Sequence, residues 1–224
     1  MHAKSFAVFA FGITISFGAQ AAYADDTGNP PDWCRNGAFA LSQDNIRLAR
    51  VGKKPALILE DSGQAKGCPQ AGKRCALGGD AAKPGAEVLI NTALPGFSCA
   101  YVPSQDGDGG WIANSDITVA QPQPTSHPAI SAWVGKWKYG DDTGIDIAQK
   151  GTQLSVSGDA TTAQGNEGSF DTKAAPKANK IHVTDNAPCE VWMTLVGSYL
   201  VVRDNQQCGG MNVSFTGVYT RGKK

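Results

Sequence analysis

Histidine is scarce in this chain of 224 residues: there are only three, His2, His127 and His182. A zinc site wants Cys-x-x-Cys-like spacing or histidine, and a Ser-His-Asp triad wants a histidine near its nucleophile; neither is available. A charge excess of either sign is also missing, with 20 basic and 20 acidic side chains. Residues 1–24 contain one charged side chain, Lys4, so 19 basic residues face 20 acidic ones in the remainder. Neither half is basic enough for phosphate recognition, so nucleic acid is an unsuited partner. Beyond the first two dozen residues no apolar run approaches the length that spans a bilayer as a helix. No GxSxG elbow, HExxH helix or phosphate-binding glycine loop occurs.

What is present begins with "MHAKSFAVFAFGITISFGAQAAYADD". Lys4 supplies a positive start, Phe6 to Phe17 an apolar stretch, and Ala22-Tyr23-Ala24 a small-x-small cleavage site before Asp25. The expectation is an export signal over residues 1–24, and a periplasmic or secreted mature chain that starts at Asp25. Export places the six cysteines in an oxidising compartment, where pairing is the default.

The 27 glycines and 12 prolines suit many short strands and turns rather than long helices. "QPQPTSHPAIS", residues 121–131, has the composition of an extended connector. It divides the cysteines four and two, as two separately stapled units require. The expected architecture is all-β: a domain over residues 25–120 with Cys34, Cys68, Cys75 and Cys99, then a domain over residues 132–224 with Cys189 and Cys208.

In the first half, Val88 and Ile90 alternate with Glu87 and Leu89, "GFSCAYV" follows a Pro-Gly turn, and "DGDGG" leads into "GWIANSDI". This order, over residues 47 to 119, resembles the bacterial SH3-like (SH3b) module through Gly85, Val88, Tyr101, Gly110, Trp111 and Ile117. Ala86 stands where that family usually has an acidic residue, and the insertion carrying Cys68 and Cys75 is additional. The resemblance implies a small barrel with exposed aromatics at Trp111 and Tyr101, and with Phe97 these are the expected partner-binding residues.

The second half gives seven strands: "WVGKWKY", "GIDIAQK" and "LSVSG" as a hairpin, "NKIHVTD", "CEVWMTLV" and "SYLVVRD" across Gly197-Ser198, and "NVSFTGVYTR". Ile145, Ile147, Leu154 and Val156 should share the interior. "GKW" at 135–137 with Arg221 on the last strand resembles the lipocalin/calycin arrangement, which implies a small up-and-down barrel whose final-strand arginine covers the tryptophan. So few short strands leave side chains to fill such a barrel.

A two-residue turn at Gly197-Ser198 pairs Val196 with Tyr199 and Trp192 with Arg203, and brings Cys189 within two residues of Cys208. A disulfide there is preferred to a reactive thiol, because nothing near Cys208 would lower its pKa. His182 alternates with Ile181 and Val183, so it should face solvent. Four cysteines permit three connectivities; the short loop between Cys68 and Cys75 favours their pairing, leaving Cys34 for Cys99. The carboxylates in "DGDGG" (Asp106, Asp108) and "YGDDTGID" (Asp141, Asp142, Asp146) read as turn residues rather than a calcium loop.

No reaction, metal or cofactor is indicated. The chain is expected to be a non-enzymatic exported binding protein of the cell envelope that recognises a peptide, a cell-wall component or a protein partner, an inhibited hydrolase included. A carrier of a small apolar ligand in the second barrel is the alternative, and an enzyme of unrecognised class the third.

Overall fold

The computed structural model describes residues 34–35, 38–103, 107–185 and 188–222. The expected export signal, Asp25 and Asp106 lie outside the described residues. The protein is all-β, with two antiparallel sheets, one curled into a half-barrel and one a nearly closed barrel. No helix among the described residues is long and apolar enough to cross a membrane.

The first sheet contains β1 (Arg47–Val51), β2 (Ala56–Leu59), β3 (Ala76–Ala82), β4 (Glu87–Leu94), β5 (Phe97–Val102), β6 (Asp108–Ala113) and β7 (Ile117–Val119), in the order β3-β2-β6-β5-β4-β1-β7. Gly96, at φ +83°, makes the turn from β4 to β5, a conformation that glycine adopts without a steric penalty. Val88, Ile90, Ala100 and Ile112 fill the concave side with Val51 and Ile58. Leu89, expected on the outer face beside Glu87, is also fully buried. It belongs to a separate cluster on the convex side, so this sheet is apolar on both faces.

The second sheet contains β8 (Gly135–Tyr139), β9 (Thr143–Lys150), β10 (Gln153–Thr161), β11 (Glu167–Ala174), β12 (Lys180–Asp185), β13 (Cys189–Val196), β14 (Tyr199–Asp204) and β15 (Gly217–Arg221), in the order β11-β10-β9-β8-β15-β14-β13-β12. Strand β11 is one more than the sequence suggested. Its residues EGSFDTKA bury only Phe170 and Ala174, leaving little apolar alternation to read. Ile145, Ile147, Leu154 and Val156 do share the interior, joined by Trp133, Trp137, Phe170, Phe215 and Tyr219. These side chains pack together in one cluster inside the barrel.

The β13–β14 hairpin has the expected register, Val196 opposite Tyr199 and Trp192 opposite Arg203, with Gly197 at φ +61° in the turn. Beyond it, Asp204 is buried and accepts hydrogen bonds from the Phe215 amide and from the Ser214 and Thr216 hydroxyls. That network fixes the approach to β15.

The sheets, expected as separate units, have their own interiors but also share the convex-side cluster. Val196, Val201 and Val218 on the outside of the barrel pack with Phe39, Leu89, Tyr101 and Trp111. Polar contacts cross the same junction: the Tyr199 hydroxyl donates to Glu87 (3.1 Å) and Thr194 to Gln43 (2.6 Å). The proline-rich connector is held against β1, where Gln123 accepts from the Leu48 amide (2.9 Å) and donates to its carbonyl (2.8 Å).

Candidate functional site

The expected aromatic surface of the first sheet is not a surface. Trp111 is 0% exposed and Tyr101 7%, while Phe97 is half-buried. Cys34, Phe39 and Ala40 pack in one cluster with Trp111 and Tyr101, with Phe97 against it. Cys34 is bonded to Cys99, which pairs across the strands with Trp111. The Cys34 amide donates to buried Asp61, and the Asn91 side chain donates to the Phe39 and Ser42 carbonyls. Phe39 lands 5.7 Å from the Tyr101 ring, and burial pushes the Tyr101 hydroxyl pKa up. The SH3-like position of Trp111 is thus used for packing, and the assignment of Trp111 and Tyr101 as exposed contact residues is corrected.

All six cysteines are paired, as Cys34–Cys99, Cys68–Cys75 and Cys189–Cys208. The last pair has its Cα atoms 4.5 Å apart, and Asn205 amid the bend before Cys208 bonds Glu190 and Pro188. Three disulfides favour an oxidising, non-cytoplasmic compartment. The Gly135, Trp137 and Arg221 contact also forms. The Arg221 guanidinium lies 4.3 Å from the Trp137 ring centroid and donates to the Val134 carbonyl (2.6 Å). Gly135 sits at φ +144°, a backbone conformation that L side chains rarely adopt.

The exterior of the barrel along β12, β13 and β14 presents a row of side chains beside a groove. Ile181 and Val183 on β12, Val191 and Met193 on β13, and Leu200 and Val202 on β14 point inward. Strand alternation sends His182, Trp192 and Arg203 outward, and the register sets them side by side. The His182 and Trp192 rings stack at 4.9 Å with 4° between planes, and Arg203 lies 5.5 Å from the indole centroid. His182 Nε2 is bonded to Glu190 (2.9 Å).

Beside this row is a groove of about 450 Å³, lined by Gln43, Lys177, Lys180, Trp192, Thr194 and Arg203 among others. That volume is within the range of small-ligand sites, roughly 300–1,000 Å³. The groove lining carries no carboxylate. Lys180 is paired with Asp44 (3.2 Å), whereas Lys177 and Arg203 form no ion pair among the described residues. A second cleft of about 510 Å³, between Tyr101 and Tyr139, mixes Lys138 with Asp141 and has no such charge bias. Among the described residues no group of three or more His, Cys, Asp or Glu is placed to hold a metal ion.

Sequence reasoning set Trp192 opposite Arg203 and His182 outward but did not join them into a row. The missing link was the β12–β13 pairing. Lys177 and Gln43 carried no signal, because they lie in the β11–β12 connection and in the stretch 38–44, and Lys180, at the start of β12, was not joined to them. No family of known proteins matches the chain, nor does any curated protein or solved structure.

Proposed function

We propose that this chain is an exported, non-enzymatic binding protein of the bacterial cell envelope, and that it recognises its partner through the groove beside His182, Trp192 and Arg203. The observation that carries the reading is the row itself: an aromatic and two nitrogen-bearing side chains left at the surface next to a concave site. Elsewhere on the same barrel exterior, Val196, Val201 and Val218 are covered by the first sheet. Tryptophan and arginine are the side chains that most often anchor binding surfaces. The paired cysteines suit a protein that works outside the cytoplasm. The SH3-like order of Gly110 and Trp111 and the calycin-like Gly135, Trp137 and Arg221 support a binding scaffold built from two familiar barrel types.

The test is retrieval of partners from envelope extract on the immobilised, oxidised protein, in parallel with Trp192→Ala. Partners held by the wild type and lost by the variant support the reading. A variant that retains all of them removes the groove as the recognition surface.

A further inference from the structure

The charge of the groove narrows its ligand. The geometry points to a small anionic ligand, a carboxylate or phosphate group attached to an apolar body, with the anion taken by Arg203 and Lys177 and the body laid along Trp192. This assignment rests on the groove being the recognition surface. Of the three full cations lining it, Lys180 already has Asp44 at 3.2 Å. Glu190, the other nearby carboxylate, is engaged by His182 at 2.9 Å. Arg203 directs one nitrogen to the Leu41 carbonyl at 3.5 Å and lies against the indole, which leaves other guanidinium N–H donors for a ligand. Lys177 is exposed, and it starts the tight turn that returns to β12, with reciprocal backbone hydrogen bonds to Lys180 (2.8 and 3.0 Å). Its backbone is therefore fixed while its ammonium can follow a ligand.

A neutral ligand would leave both cations without a partner, whereas an anion gains charge-assisted hydrogen bonds. The apolar part of the site comes from Trp192, with Met193 and Ala175 on the lining. Gln43 and Thr194 are already bonded to each other at 2.6 Å, so they form a polar wall that does not compete for the anion.

The experiment is calorimetric titration of the full, oxidised chain with three probes: N-acetylphenylalanine, its uncharged amide, and phenyl phosphate. Binding of at least one anion about tenfold or more above the amide is expected, and the preferred anion separates a carboxylate source from a phosphate one. Lys177→Gln and Arg203→Gln should each weaken that binding about tenfold with the thermal midpoint unchanged, while Lys150→Gln, outside the groove, leaves it as it was. Equal binding of amide and anions, or binding of none of the three, overturns the anion assignment. So does binding that both groove variants retain. If partner capture depends on Trp192 while every probe fails, the binding-protein reading stands and only the anion assignment falls.

Discussion

Trp111 and Trp192 sit on comparable ground, each on the outward face of an antiparallel sheet, and they meet opposite fates. Trp111 is wholly buried in a cluster shared with Val196, Val201 and Val218 of the barrel exterior and with Cys34, Phe39 and Ala40 of a segment tied down by the Cys34–Cys99 bond, by Asp61 and by Asn91. Trp192 lies just past the reach of the same segment, which ends in contacts from Gln43 to Thr194 and from Asp44 to Lys180. The difference owes nothing to the local strand patterns, which turn both rings outward from their own barrel interiors. What packs against the outward face, not the strand pattern, decides which aromatic becomes core and which remains at the surface.

Substitutions sharpen that contrast. The largest effect is expected for Trp111→Ala, which should lose roughly 3–5 kcal/mol in chemical denaturation, as large-to-small changes in a packed core do. The Trp111 indole N–H is buried without a hydrogen-bond partner among the described residues, so Trp111→Phe should cost clearly less than alanine. Cys34→Ser with Cys99→Ser follows. The bond spans 65 residues, and its loss should cost about 4 kcal/mol in the chain-entropy picture. It should also loosen the packing around Trp111, read as a red shift in tryptophan emission. Trp192→Ala is the smallest, at about 1 kcal/mol or less, because the ring is only half-buried on an outer face. Equal losses for Trp111→Ala and Trp192→Ala would erase the distinction between core and surface on which the comparison depends.

Much of the fold was legible in the residues. The Gly197-Ser198 turn set the β13–β14 register because a two-residue loop leaves one pairing, and that pairing placed Cys189 near Cys208. Alternation gave the interior positions of Ile145, Ile147, Leu154 and Val156. Strand β11 escaped because it is an edge strand whose exposed residues are polar and whose two buried ones, Phe170 and Ala174, are too few to make a pattern. Leu89 was misplaced for a different reason: alternation assumes one wet face, and β4 has none. The candidate site was legible only in part. Its outward tryptophan and arginine followed from one hairpin, but Lys177 and Lys180 join them only through the β12–β13 pairing and Gln43 comes from far away in the chain.

By itself the sequence determined the all-β class, the turns, the strand periodicity and that Cys68 could reach Cys75 and Cys189 could reach Cys208, since these depend on neighbours within a hairpin or a short loop. Only the tertiary structure decided that the two sheets share a cluster, that Trp111 is core, and that a cationic groove opens beside Trp192. Those outcomes depend on contacts between residues far apart in the chain, among them the Cys34–Cys99 disulfide, the Cys34 amide on Asp61 and the Asn91 side chain on the Phe39 and Ser42 carbonyls, whose partners no local pattern identifies.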